Sequence, residues 1–136
     1  AHRLGFERPK IAILSAVETV NLKMQSTVDA AILSKMGERG QFGNCLVEGP
    51  LALDNAISLE AARNKGILNE VAGAADVLIC PDIDSGNILG KSIIYFAKVP
   101  AGGILLGAGF PVIMLSRADK KNVRLNSIKL ALAAGV

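Results

Sequence analysis

The sequence predicts an α/β fold: a three-layer open sheet with mostly parallel strands. Three observations predict it. Short apolar runs of strand length recur at residues 11–14, 45–48, 77–80, 101–106 and 112–115. Segments with helical apolar spacing lie between and after them, and the connections have the length of parallel β-α-β crossovers. The chain is 51% hydrophobic but only 4% aromatic, and Ala, Ile, Leu, Val and Gly dominate, which suits tightly packed α/β layers. At 136 residues with no internal linker, residues 1–136 read as one domain.

Residues 4–8 read as the end of a helix that begins upstream, so the chain is expected to continue a longer protein. Residues 11–14 form the first buried strand, after Pro9-Lys10, and a polar loop follows at residues 15–21. Ser26 or Thr27 is expected to cap a helix reaching about Gly37, with Val28, Ala31, Ile32 and Met36 facing inward. A glycine-containing loop at 38–44 leads to the second strand at 45–48, which Gly49-Pro50 should break. One helix is expected from Leu53 to about Asn64, then a connection over 66–73.

The third strand, 77–80, is flanked by Asp76 and Pro81. Proline disfavours helix at Cys80, so the strand should stop there. Ser85 is the expected N-cap of the next helix. Leu89, Ile93, Phe96 and Ala97 share one face of it, and Lys91, Tyr95 and Lys98 another. Residues 99–116 carry no charge and approach the length of a membrane span. Pro100, Gly102, Gly103, Gly107, Gly109 and Pro111 interrupt them, so two buried strands joined by a turn are expected instead. A closing helix begins near Asp119 with Leu125, Ile128 and Leu132 inward.

Net charge is +3, from 15 basic and 12 acidic residues. The basic residues are scattered, densest at Arg117, Lys120, Lys121 and Arg124; with so few aromatics they give little ground for a nucleic-acid partner. Cys45 and Cys80 sit at expected strands and read as buried free thiols, which fits a reducing, cytoplasmic setting. They have no paired spacing, and His2 is the one histidine, so no metal-ligand set is suggested. No secretory signal or membrane partner is indicated.

Four polar turns follow the expected strands: residues 15–21, Gly49-Pro50, 81–87 and Ser116-Arg117. Parallel strands would bring their carboxyl ends to one edge, where ligands bind in open α/β sheets. The N–H groups opening the helix near Ser85 favour an anion, and Asp82, Ser85, Gly86, Asn87 and Lys91 surround that point. Hydroxyls, amides and a guanidinium suit phosphate or an acyl phosphate. Each element also has a plainer reading. Asp82 and Asp84 serve equally well as caps, Lys91 as a solvated helix residue, and Ser15 as a strand-end hydroxyl. Gly107-Ala108-Gly109 lacks the third glycine and the following helix of a dinucleotide fingerprint. Ser116-Arg117, directly after an apolar run, needs solvent, a counter-ion or an anionic ligand; an arginine snorkelling at a strand end is the structural alternative.

Four runs together resemble the phosphate acetyl/butyryltransferase family. They are Ser15-Ala16-Val17-Glu18-Thr19-Val20-Asn21, Glu48-Gly49-Pro50-Leu51-Ala52-Leu53-Asp54-Asn55-Ala56, Pro81-Asp82-Ile83-Asp84-Ser85-Gly86-Asn87-Ile88 and Leu115-Ser116-Arg117-Ala118. The first two look most like the phosphate butyryltransferase branch. The resemblance runs through the whole chain and is to the carboxyl-terminal half of the family. It implies one half of a fold similar to isocitrate and isopropylmalate dehydrogenases, with two α/β domains flanking a cleft. It implies transfer of an acyl group between coenzyme A, a substrate rather than a bound cofactor, and inorganic phosphate (butyryl-CoA + phosphate = butyryl phosphate + CoA), in a homodimer. Ser116 would hydrogen-bond at the sulfur or acyl centre. Arg117 would bind phosphate and offset charge on the acyl carbonyl. Acetyltransferase relatives place a proposed aspartate base where this chain has Val123, while Asp119 stands nearby out of register. A non-catalytic anion- or coenzyme A-binding module and a dimerisation domain are the alternatives.

Overall fold

The computed structural model describes residues 1–135. They form two compact units, one of Phe6–Gly86 with His2, the other running from residue 87 with Ala1 and Arg3–Gly5. The first unit contains β1 (Lys10–Leu14), α1 (Gln25–Glu38), β2 (Leu46–Leu51), α2 (Leu53–Ile57), α3 (Leu59–Asn64) and β3 (Val77–Ile79). The strands form one sheet in the order β2-β1-β3. Both pairings are parallel, with Ile11 opposite Val47 on one side and Val77 on the other. The carboxyl ends of all three strands therefore share one edge. The central strand buries Ala12, Ile13 and Leu14 in succession, as a strand covered on both faces must.

Several local expectations fail in this unit. Gly49-Pro50 does not break the second strand, which continues to Leu51. β2 is the edge strand, and the pairing slips by one residue between Ala12 and Leu14, so Gly49-Pro50 falls at an irregularity where proline is tolerated. Neither Ser26 nor Thr27 caps α1: Met24 occupies that position with no side-chain cap bond, and Thr27 lies inside the first turn. The inward face of α1 is also not the aliphatic one. Thr27 and Ala30 are fully buried, whereas Ile32 is 54% exposed. The reason is distance. A Cβ added to Gly37 would lie 2.5 Å from the Cβ of Val47, and one on Gly49 would lie 2.8 Å from the Cβ of Ile13 and 3.2 Å from that of Ala30. Ser34 continues this small-residue face by donating its hydroxyl to Val47 O at 3.2 Å. Finally, the helix expected over 53–64 is two helices. Ser58 is extended and its Oγ accepts the Ala61 N–H at 3.2 Å, capping α3 and ending α2.

α4 (Ile83–Tyr95) starts in the first unit and runs into the second, which closes with α5 (Lys121–Ala134). The two strands expected at 101–106 and 112–115 are absent. One antiparallel bridge joins Leu105 to Val112, with the turn made at Gly107 (φ +99°). Leu106, Phe110 and Met114 are exposed rather than buried. Glycines and prolines leave this run short of both side-chain packing and ladder donors. α5 repeats the behaviour of α1: Ser127, Ala131 and Ala134 are buried, and Leu125, Ile128 and Leu132 are exposed. A Cβ on Gly102 would stand 2.8 Å from the backbone of Asn126, and the Gly103 N–H donates to Ser127 Oγ at 3.0 Å. α4 buries none of its residues, and Phe96, expected inward, lies beyond its end and is exposed. At the N-terminus, a short 3-10 turn spans His2–Leu4 where a helix end was expected over 4–8. Cys45 and Cys80 are free and half-buried rather than buried. Among the described residues no helix is long and apolar enough to cross a membrane.

The Gly37 contact has a direct consequence. Helix propensity alone favours Ala over Gly by about 1 kcal/mol. Overpacking against Val47 opposes it by about 1–3 kcal/mol. We expect Gly37→Ala to lower the melting temperature, while Gly90→Ala, in helix α4 with no neighbour within 4 Å, holds or raises it. Equal melting of the two variants would contradict the close α1–β2 approach.

Candidate functional site

The sequence-predicted residues divide between the two units. Ser15, Asp82, Ser85 and Gly86 belong to the first; Asn87, Lys91, Ser116 and Arg117 belong to the second. Within the first unit Ser15 and the turn at 81–86 both stand at the carboxyl edge of the sheet, after β1 and β3 respectively.

Ser15 is buried directly after β1. Its N–H donates to Leu51 O at 2.9 Å, and its hydroxyl pairs with that of Ser26 at 2.8 Å. It thus joins the end of β1 to the first turn of α1. At the end of β3 the cap of α4 is Asp82 rather than Ser85. Asp82 Oδ1 accepts both the Ser85 N–H and the Ser85 hydroxyl at 2.7 Å, while Gly86 N–H donates to Asp82 O at 3.1 Å. The two bonds from Ser85, the backbone one first, hold the Asp82 carboxyl below its ordinary pKa. Asp82 and Ser85 are therefore occupied with each other, while Asn87 and Lys91 lie exposed along with Ile83, Asp84 and Ile88.

In the second unit Ser116 and Arg117 occupy a tight turn just ahead of α5. The Ser116 N–H donates to Asp119 Oδ2 at 2.7 Å, the Asp119 N–H donates to Ser116 O at 3.0 Å, and Ser116 Oγ accepts the Ala118 N–H at 3.3 Å. Asp119 thereby fixes the turn. Arg117 is exposed, and no ion pair with it forms among the described residues. Its charge stands close to the N-terminal end of a 14-residue helix, where positive backbone potential adds to it. A groove of about 440 Å³ borders this turn through Ala118, Asp119 and Lys120, with Tyr95, Lys98 and Asn122 also lining it. Lys98 adopts φ +55°, a conformation uncommon for a side-chain-bearing residue.

Sequence reading missed a second polar cluster. Glu18, in the loop after β1, accepts hydrogen bonds from Asn55 Nδ2 at 3.2 Å and Lys65 Nζ at 3.1 Å, and Lys65 also pairs with Asp54 at 3.1 Å. Lys65 holds the Glu18 and Asp54 carboxyls below their ordinary pKa values and is itself raised by them. The residues that meet here lie far apart in the chain, so no local pattern announces the contact.

The chain can be set beside known proteins on this geometry. A family model described as phosphate acetyl/butaryl transferase matches residues 1–132. A phosphate butyryltransferase of Clostridium acetobutylicum is 52% identical over 136 residues, which cover 99% of this chain and 45% of that protein. A phosphate acetyltransferase of Thermotoga maritima is 50% identical over 131 residues, covering 96% of this chain and 45% of that protein. The crystal structure of a branched-chain phosphotransacylase from Enterococcus faecalis V583 matches with a TM-score of 0.89 at 38% identity, covering 98% of this chain and 48% of that one. The chain thus spans about half the length of the relatives it matches.

The Asp82 cap carries a pH signature. Because its folded pKa is lowered, its contribution to stability is complete above the ordinary aspartate value and disappears as pH falls through the lowered one. Asp82→Ala should melt below wild type at about pH 7 and level with it at about pH 2. A gap that persists in acid would mean that the carboxylate is not the stabilising form.

Proposed function

The chain belongs to the phosphate acetyl/butaryl transferase family, and from that premise we propose that it is the carboxyl-terminal half of a cytoplasmic enzyme moving a short-chain acyl group, butyryl in preference, between coenzyme A and inorganic phosphate. The other half would supply the opposite wall of a cleft in an isocitrate dehydrogenase-like two-domain fold. The observation that carries the reading is Arg117: an exposed guanidinium without a carboxylate partner among the described residues, beside a serine in a fixed turn at a helix start.

The chemistry follows from those groups. A phosphate oxygen attacks the thioester carbonyl of butyryl-CoA. The new C–O bond produces a tetrahedral oxyanion, and its collapse breaks the C–S bond and releases the thiolate. Arg117 binds phosphate bidentately and offsets the charge on the oxyanion, which preorganised donors stabilise without reorganising. Ser116 Oγ donates at the sulfur or acyl centre. Asp119 holds the turn through the Ser116 N–H, and the base for the thiol is Asp119, a residue of the other half, or none. The edge residues Ser15, Asp82, Ser85 and Gly86, with Asn87 and Lys91, shape the substrate-binding wall. The groove beside Asp119, with Lys98 and Lys120 along it, offers coenzyme A both cations and apolar surface. Exposed Leu125, Ile128 and Leu132 on α5 suit the homodimer that belongs to the same reading.

One observation favours a second reading. By the family resemblance Val123 falls where acetyltransferase relatives carry the aspartate proposed as base, and a module that binds coenzyme A or phosphate without turnover is the competitor.

Thiol release from butyryl-CoA in the presence of phosphate, measured on the complete enzyme, separates them. We expect Arg117→Ala to lower kcat/KM by about 10²–10³-fold, the cost of one oxyanion-stabilising donor, with Arg117→Lys intermediate because a point charge lacks the fork. Unchanged turnover in Arg117→Ala would remove Arg117 from the mechanism.

A further inference from the structure

Asn55 is the anomaly of the first unit. It is fully buried in α2, and its Oδ1 meets no hydrogen-bond partner among the described residues. Burying an amide half-satisfied costs stability that an apolar residue of similar volume avoids. The other end of the amide is used: Nδ2 donates to Glu18 Oε2 at 3.2 Å. Lys65, at the end of α3, donates to the same carboxylate oxygen at 3.1 Å and is held in turn by Asp54. Asn55 is itself anchored, since its backbone oxygen accepts the Gly73 N–H at 2.8 Å.

Glu18 is the midpoint of the loop that leaves the carboxyl end of β1. That loop is fixed at both ends as well. Ser15 bonds the Ser26 hydroxyl at the start. At the finish the fully buried Thr27 accepts the Asn21 N–H at 2.9 Å and donates to Asn21 O at 3.0 Å. With three clamps on so short a loop, Ala16, Thr19 and Val20 are its exposed residues over 15–20. Local violations of packing rules concentrate where function requires them, and this one lies at the sheet edge where ligands bind in open α/β folds.

We propose that Glu18 is a positioning residue for acyl transfer: gripped by Asn55 and Lys65, it holds the loop after β1 in the conformation that receives the phosphate substrate. The proposal rests on the transferase reading above. Its effect is exerted through the loop, since the clamp occupies Glu18 with protein groups. Losing it leaves the reacting groups intact and lets the loop sample other shapes, so the deficit falls on KM for phosphate more than on kcat.

The test is steady-state kinetics of the complete enzyme at varied phosphate, with melting temperatures measured in parallel. Glu18→Ala should raise KM for phosphate about tenfold or more at nearly constant kcat, as a displaced binding loop would. Glu18→Gln, which keeps an acceptor for Asn55, should recover much of that loss. Lys65→Met should shift KM in the same direction and gives a second reading if Glu18→Ala does not fold. Wild-type KM in Glu18→Ala and Lys65→Met, with only their melting temperatures lowered, would reduce the clamp to a structural contact and overturn the proposal. A wild-type enzyme that shows no phosphate-dependent transfer would overturn the transferase reading, and this proposal with it.

Discussion

The closeness of α1 to β2 is the constraint on which the first unit depends. Gly37 and Gly49 leave no room for a methyl group at the contact, and Ala30 and Ser34 fill what remains. Small residues on a helix face let its axis approach the sheet, and each additional carbon there would push it away. The same face of α1 presents Thr27 to Asn21 and Ser26 to Ser15, so the packing that seats the helix also fixes both ends of the loop at the sheet edge. The second unit uses the same device on a smaller scale, with Gly102 and Gly103 against the Ser127 side of α5.

A second pattern concerns the polar residues. The serines and aspartates at the candidate site are occupied with one another: Ser15 with Ser26, Asp82 with Ser85, Ser116 with Asp119. They build turns of defined shape. Asn87, Lys91 and Arg117 are exposed and make none of these bonds among the described residues. Exposed cations beside turns shaped by hydroxyls and carboxylates suit anionic ligands and charge developing on oxygen.

The parallel sheet was legible in the sequence because its strands are short apolar runs bounded by Pro9-Lys10, Asp76 and Pro81. The longer helices were legible as helices, though 53–64 divides into two, but their buried faces were not. Apolar periodicity ranks Ile32, Leu125 and Ile128 as interior residues, yet where a helix comes within glycine contact the interior belongs to Thr27, Ala30, Ser127 and Ala131. Periodicity measures apolarity, and the deciding quantity here was distance. The glycine-rich run at 101–115 failed for a related reason: it has the hydrophobicity of strands without their side-chain volume. At the site, Ser116-Arg117 was singled out both as a charge after an apolar run and by family resemblance. The Glu18–Asn55 bond joins residues 37 positions apart, and only the fold brings them together.

The central claim is that this chain belongs to an enzyme exchanging coenzyme A for phosphate on an acyl group. Phosphorus NMR of the complete protein mixed with butyryl-CoA and inorganic phosphate tests it most directly, read beside the free thiol released. The account predicts an acyl phosphate resonance that grows in equal amount with free thiol and only when phosphate is present. Thiol released without acyl phosphate, or binding of coenzyme A with neither product, would contradict it.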